Sequence, residues 1–137
     1  MKRVGVSAVG MFAVVVGFSM LGDRASAHHS RAGVYESNDK AITMPAVVAE
    51  WRWRNPHVFL VWDAKGANGE TVQWTGELSS VTSMISEGMS RNSLKPGDRV
   101  TVSVVPARSG LPTGLLVKVV MADGSIPLDR TGGPIPD

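Results

Sequence analysis

The sequence predicts one small, mainly β domain with a single short helix. Apolar and polar residues alternate with a period of two along several short segments, which are separated by turns rich in Gly, Pro and Asn. The stretch near residues 79–88 changes to the 3.6-residue period of a helix. The chain has 137 residues, of which 43% are hydrophobic and 19% charged. This is enough for one core and excludes a multidomain enzyme.

Residues 1–27 have the pattern of a signal peptide. Basic residues near the start are followed by an uncharged, largely apolar segment over residues 4–21, and Ala25-Ser26-Ala27 matches the small-residue cleavage pattern. We therefore expect cleavage before His28 and a periplasmic or secreted protein. The alternative is a leader that stays as a membrane anchor, although its uncharged segment barely reaches the roughly 20 residues that a spanning helix needs.

Without this leader the chain is formally neutral, with 11 basic and 11 acidic side chains. Nucleic acid is therefore not expected as a partner, because that kind of binding depends on neutralising phosphate charge. The membrane is expected as a partner only through an uncleaved leader. The absence of cysteine excludes a disulfide framework, a thiolate metal site and a thiol nucleophile.

The β domain is predicted over residues 41–128, after a loose N-terminal arm over residues 28–40. Its first strand has one apolar and one polar face, because residues alternate with a period of two. One face carries Val47, Ala49, Trp51 and Trp53, and the other carries Val48, Glu50, Arg52 and Arg54. After an Asn-Pro turn, a second strand is predicted over residues 57–63. A third strand is predicted over residues 70–75, beyond a hairpin loop with an Asn-Gly pair.

The second half of the domain begins with a helix over residues 79–88. Four apolar residues there share one helical face: Val81, Met84, Ile85 and Met89. A fourth strand is predicted over residues 99–105 and a fifth over residues 114–121, with a Gly/Pro-rich loop between them. The tail, residues 129–137, contains two Gly and two Pro and is predicted to be mobile.

Three strands, a helix and two more strands form the element order of a five-stranded OB-like barrel. Closure into a barrel also explains how so small a β domain avoids exposed strand edges. The alternative architecture is a flat α+β sandwich with the helix across one face. In the barrel we expect the first strand to pair with the second or the fourth.

Several short motifs resemble those of one known family. They are Ala27-His28-His29-Ser30, Glu50-Trp51, Asn55-Pro56-His57, Leu94-Lys95-Pro96-Gly97-Asp98 and Asp123-Gly124. Together, over residues 27–126, they are similar to domain-of-unknown-function family 6152, a family of small exported bacterial proteins. The resemblance implies export and a compact β domain. It implies no activity, because the family is uncharacterised.

The three histidines of the chain, His28, His29 and His57, predict a candidate metal site. After cleavage, His28 carries the free α-amine, which can chelate a metal ion together with the Nδ1 of the same residue. A second imidazole, from His57 or from His29, completes a nitrogen-only ligand set suited to Cu(II). The alternative is that His28 and His29 lie in a frayed arm while His57 hydrogen-bonds its own turn.

An aromatic surface is the second candidate site. Trp51, Trp53, Trp62 and Trp74 fall on the first three strands, in the region where OB-like barrels commonly hold ligands. Exposed indoles there can stack a flat or sugar-like small ligand. The alternative is that these indoles fill the core of the barrel.

Two arginines, Arg52 and Arg54, are candidates for binding an anionic group of such a ligand. The alternative is that they form a solvated face and pair with Glu50 or Asp63.

No group of residues in the sequence predicts an enzyme. A nucleophile elbow, a phosphate-binding glycine loop and a calcium loop are all missing from it. We expect a non-enzymatic binding or accessory module, and a copper oxidase built on His28 is the enzymatic alternative. The sequence is also compatible with a structural partner of an envelope protein complex and with an aromatic small-ligand binder that holds no metal.

Overall fold

The computed structural model describes residues 31–132. Helix α1 spans Arg31–Val34, a 3-10 turn follows at Asn38–Lys40, and helix α2 spans Val81–Ser86. The strands are β1 (Ile42–Arg52), β2 (Phe59–Lys65), β3 (Thr71–Glu77), β4 (Arg99–Pro106), β5 (Thr113–Met121) and β6 (Leu128–Asp129). The predicted leader, its cleavage site, His28 and His29 lie outside the described residues. Within residues 31–132, no helix has the length and apolar character needed to cross a membrane.

The first five strands close into a barrel. β1 is antiparallel to both β2 and β4, β2 is antiparallel to β3, and β4 is antiparallel to β5. A short parallel pairing of β3 with β5, from Thr75↔Thr113 to Glu77↔Leu115, closes the ring. β6 pairs with β5, and α2 lies between β3 and β4. The prediction of a mainly β, five-stranded OB-like barrel with one short helix is therefore confirmed.

Helix α2 forms inside the predicted window of residues 79–88 because its two ends carry suitable residues. The Ser80 side chain accepts a hydrogen bond from the backbone N–H of Ser83 at 3.3 Å, which caps the first turn. Gly88 follows the helix with a φ of 85°, a left-handed conformation that Gly adopts without strain. Met84 is fully buried, whereas Ile85 is 59% exposed, so only part of the predicted apolar face packs on the barrel.

A β-bulge in β1 changes which residues face the core. The register with β2 shifts between Val48 and Glu50, so Ala49 is the extra residue. Before the bulge Val48 is 2% exposed and Val47 is 42% exposed, which reverses the faces predicted for these two valines. A strict period of two cannot anticipate this reversal, because one inserted residue exchanges the two faces of the strand beyond it.

The barrel core is filled by buried apolar side chains from β1, β2, β4, β5 and α2, and β3 packs the partly buried Trp74 against them. Trp62 is fully buried and stacks on Trp74, with ring centroids 6.1 Å apart. Gly76 leaves room for this indole, since a Cβ there would lie 2.8 Å from the Trp62 ring. A second apolar cluster joins the N-terminal segment to β4 and β5 and consists of Tyr35, Val105, Ala107, Leu115 and Val117.

The segment before β1 is docked on the end of β4. The backbone N–H of Glu36 donates to the carbonyl of Pro106, and that of Arg108 donates to the carbonyl of Val34, both at 2.9 Å. Tyr35, between these two contacts, is only 8% exposed. This differs from the loose arm predicted over residues 28–40, because a buried aromatic ring and a short backbone pairing fix this part of it.

The first residues of the predicted mobile tail also belong to the fold. Asp129 lies in β6, and its carboxylate contacts the Lys118 ammonium at 2.8 Å. The Arg130 side chain is 5% exposed, and its guanidinium donates two hydrogen bonds to the carboxylate of Glu87, just after α2. Because Arg130 is buried and paired with Glu87, the folded domain includes residues beyond 128.

Candidate functional site

His57 lies at one end of the barrel, in the turn between β1 and β2. The turn contains a cis peptide bond between Asn55 and Pro56. The side-chain oxygen of Asn55 accepts a hydrogen bond of 3.1 Å from the backbone N–H of Val81, the first residue of α2. The turn is thereby attached to the helix, and the position of His57 is set by both elements.

Glu77, the last residue of β3, is the partner of His57. Phe59, the first residue of β2, is paired with Glu77, so this register brings the end of β3 next to the turn. The Nδ1 atom of His57 lies 2.6 Å from Oε1 of Glu77. An ionised carboxylate only accepts hydrogen bonds, so Nδ1 carries a hydrogen, and in the neutral imidazole the lone pair is then on Nε2.

The second oxygen of Glu77 is occupied by the N-terminal segment. The hydroxyl of Tyr35 donates a hydrogen bond to Oε2 of Glu77. The Glu77 side chain is 20% exposed and the His57 side chain 40% exposed, so the carboxylate is shielded and the imidazole is accessible. Tyr35, Glu77 and His57 therefore form a continuous hydrogen-bonded chain that ends in a partly exposed imidazole.

Charged side chains hold Tyr35 in this place. The Nε of Arg108 donates a 2.9 Å hydrogen bond to the Tyr35 carbonyl. Oε2 of Glu36 lies 3.6 Å from an Arg108 nitrogen and 3.3 Å from the Lys40 ammonium. These side chains are partly or largely exposed, so they orient the segment more than they stabilise it.

Among residues 31–132, no group of three or more His, Asp or Glu side chains is placed to hold a metal ion. Of the three predicted metal ligands, only His57 is among the described residues. Within residues 31–132 its only polar partner is Glu77. A site for copper needs ligands from His28 or His29. Tyr35 follows His28 by seven residues, four of which form α1, so the stretch spans at most roughly 17 Å and His28 is within chain reach of the barrel end that carries His57.

The predicted aromatic surface is split between the core and the surface. Trp62 is fully buried, which corrects its prediction as a surface-stacking residue. Trp51 and Trp53 are partly buried against the core, and their ring centroids lie 5.5 Å apart with an interplanar angle of 44°. The indole N–H of Trp51 donates to the carbonyl of Ser90 at 3.1 Å. The two indoles thus pack mainly on the protein itself.

The two arginines near these indoles differ in their contacts. Arg52 lies 2.8 Å from the carboxylate of Glu50. Its guanidinium hydrogen-bonds that carboxyl and lowers the pKa of Glu50 below its ordinary value. Arg54 is exposed, and the described structure gives its side chain no ion pair. The solvated pair, one of the two interpretations of Arg52, is thus what the structure contains.

Sequence reasoning did not identify Tyr35 and Glu77 as members of the site. The pairing of β2 with β3 brings Glu77 next to His57, and the docking of the N-terminal segment on the end of β4 brings Tyr35 to the same carboxylate. One signal for Glu77 was present in the sequence. It is the only charged residue of Thr71–Glu77, a strand whose other residues are apolar or uncharged polar.

The comparisons with known proteins support a single assignment. A family model described as a family of unknown function, DUF6152, matches residues 17–118. The comparison with curated proteins and the comparison with solved structures each found no match.

Proposed function

The chain belongs to the DUF6152 family, and we propose that it is an exported, non-enzymatic module that binds Cu(II). The ligands are the α-amine and imidazole of His28, exposed by removal of residues 1–27, and Nε2 of His57. His29 is the remaining nitrogen donor nearby in sequence. The proposal includes export to the periplasm or beyond, because only cleavage after Ala27 creates the free amine.

The observation that carries the proposal is the 2.6 Å contact between Nδ1 of His57 and Glu77. Histidines that bind metals commonly donate the hydrogen of their other ring nitrogen to a carboxylate, which fixes the tautomer and the ring orientation. Here the carboxylate holds Nδ1, and Nε2 belongs to a side chain that is 40% exposed. His57 is thus prepared as a ligand through Nε2.

Tyr35 supports the proposal from the other side of the same carboxylate. Its hydroxyl binds Glu77, and its backbone is fixed by Arg108. The segment that leads from His28 into the barrel is therefore anchored at the residue that orients His57. This anchor lowers the entropy that the chain loses when His28 and His57 bind one ion.

The nitrogen-only ligand set favours copper among the common divalent ions. Cu(II) has the highest affinity in the first-row series for nitrogen donors and accepts a planar or T-shaped arrangement. The two donors of His28 form a chelate, and His57 occupies a further position. A binding role without catalysis agrees with the small domain. It also agrees with the sequence, in which no catalytic nucleophile with a general base was recognised.

Calorimetric titration with Cu(II) tests the proposal. Three proteins are compared: the chain beginning at His28, the same chain with its α-amine acetylated, and the His57→Ala variant. The first is expected to bind one Cu(II) ion most tightly, and the other two at least about tenfold more weakly, since each lacks one nitrogen ligand. Electron paramagnetic resonance then counts the coordinated nitrogens.

Equal affinities for the three proteins would contradict the proposed site. Copper binding lost on acetylation of the α-amine but kept in His57→Ala would assign the second imidazole to His29. A matched control is Arg91→Gln, which changes an exposed side chain without an ion pair in the described structure and leaves every proposed ligand in place. N-terminal sequencing of the exported protein checks the cleavage site separately.

A further inference from the structure

A cleft of about 480 Å³ lies at the opposite end of the β1–β2 ladder from His57. The ladder runs from Arg52↔Phe59, next to the His57 turn, to Val47↔Asp63. Beyond that last pair, β1 continues along β4, whereas β2 continues along β3. The two strands therefore separate, and the cleft occupies the space between them.

The inner wall of this cleft is apolar. Ala46, Ala64 and Val100 contribute to it, and each is no more than 6% exposed. Pro45 adds a ring that carries no N–H, and Val47, 42% exposed, stands at the rim. Small side chains on two neighbouring strands keep the space open. Its volume falls within the range of about 300–1,000 Å³ that is typical of small-molecule sites.

The rim of the cleft carries an excess of positive charge. Arg99 is exposed, and the described part of the chain gives its guanidinium no ion pair or hydrogen bond. The Lys65 ammonium makes only a 3.3 Å contact with the Thr71 hydroxyl. The single carboxylate of the rim, that of Asp63, accepts a 3.2 Å hydrogen bond from Gln73 and pairs with neither cation. Two uncompensated cations thus lie beside an apolar wall.

We propose that this cleft is a binding site for a small organic carboxylate with an apolar body, such as a medium-chain fatty acid. The carboxylate lies between Arg99 and Lys65, and the hydrocarbon covers Ala46, Ala64 and Val47. A charge-assisted hydrogen bond to a guanidinium is stronger than a neutral one, and each CH₂ group buried against the apolar wall adds to the affinity. This site is independent of the copper site, because the two share no residue.

Nuclear magnetic resonance titrations with three eight-carbon probes test the proposal. Octanoate, 1-octanol and octylammonium share a tail and differ in charge. Octanoate is expected to shift the backbone amide signals of Val47, Lys65 and Arg99 and to bind at least about tenfold more tightly than the other two, because only its head group pairs with the cations. Amide shifts that are equal for octanoate and octanol, or that lie away from the cleft, would overturn the proposal.

Variants at the rim complete the test. Arg99→Gln and Lys65→Gln are each expected to weaken octanoate binding several-fold, and Val47→Glu to abolish it by placing a carboxylate at the rim. The matched control is Arg91→Gln, an exposed arginine without an ion pair in the described structure, which should leave octanoate affinity unchanged. Because all four side chains are exposed, circular dichroism should report the wild-type fold in each. An unchanged affinity in Arg99→Gln and Lys65→Gln would refute the assignment of the carboxylate to these cations.

Discussion

Tyr35 and His57 hydrogen-bond opposite oxygens of one carboxylate, that of Glu77. Tyr35 precedes the first strand of the barrel, and His57 lies in the turn after it. The carboxylate therefore joins the N-terminal segment, the first turn and the end of β3 at one point. A change in any of these three residues is transmitted to the other two through a single group.

Removing the Tyr35 hydroxyl tests how much this connection stabilises the fold. We expect Tyr35→Phe to lower the free energy of unfolding by about 1 kcal/mol, since the buried ring keeps its packing and one hydrogen bond to a carboxylate is lost. Urea denaturation followed by circular dichroism measures the change. Tyr35→Ala should cost about 3 kcal/mol or more, because the ring is lost as well. If Tyr35→Phe were as unstable as Tyr35→Ala, the ring would add no stability beyond that of the hydroxyl, and the expectation would be wrong.

The ion pair of Arg130 with Glu87 is expected to be a second sensitive point. Glu87→Gln leaves a cation that is 5% exposed without its counter-ion and should lower the free energy of unfolding by roughly 2–3 kcal/mol. The double variant Arg130→Met with Glu87→Gln should recover part of that loss, since no unpaired charge remains buried. The stabilities of the single and the double variant are compared by thermal denaturation. A double variant less stable than Glu87→Gln would show that the packing of Arg130 matters more than its charge.

Closure of the barrel is expected to depend on Gly114. A Cβ at this position would lie 2.2 Å from the carbonyl oxygen of Val105 and 2.6 Å from the Val104 side chain, so Gly114→Ala must displace β4 or β5. We expect a loss of about 2 kcal/mol or more in the free energy of unfolding, measured with urea. Gly132→Ala is the matched control, because nothing lies within 4 Å of its added Cβ. Similar stability of the two variants would rule out steric control at Gly114.

The acid dependence of stability should include a contribution from Asp129. The Lys118 ammonium and the hydroxyl and N–H of Thr131 hold the pKa of this carboxyl far below its ordinary value of 3.8. A carboxyl with a lowered pKa in the folded protein stabilises it above the ordinary pKa, and the stabilisation is lost as the pH falls below that value. Asp129→Asn should therefore melt below the wild type at pH 7, and the difference between the two melting temperatures should shrink steadily as the pH falls below about 4.

Glu70→Gln is the control for this pH series, since the exposed Glu70 side chain has no ion pair in the described structure. A constant difference between Asp129→Asn and the wild type across the pH series would mean that the charge of Asp129 is not responsible.

The sequence was sufficient for the fold class because its two periods are local properties. The helix predicted over residues 79–88 contains Val81–Ser86, and the predicted strands overlap the observed ones. The bulge at Ala49 was not predictable, since one extra residue leaves no compositional mark in a strand rich in apolar residues. The contacts of Glu77 depend on the register of β2 with β3 and on the docking of the N-terminal segment, which no period in the sequence encodes.

The candidate site was predictable only in part. His57 drew attention by its residue type, whereas its orientation depends on Glu77, a residue on another strand. Trp62 was predicted on a ligand surface because strand position alone does not reveal whether an indole faces inward. Its full burial follows from the space that Gly76 leaves on the neighbouring strand.

The double pairing of β1 has a consequence for how the chain folds. β1 emerges early during synthesis, yet Ile42 pairs with Val104 in β4, far later in the chain. Until β4 is available, one edge of β1 has no partner and can join another chain. Topologies dominated by such distant strand pairs fold in roughly milliseconds to seconds, far more slowly than helical bundles. The nascent barrel therefore needs protection from aggregation until its fourth strand arrives.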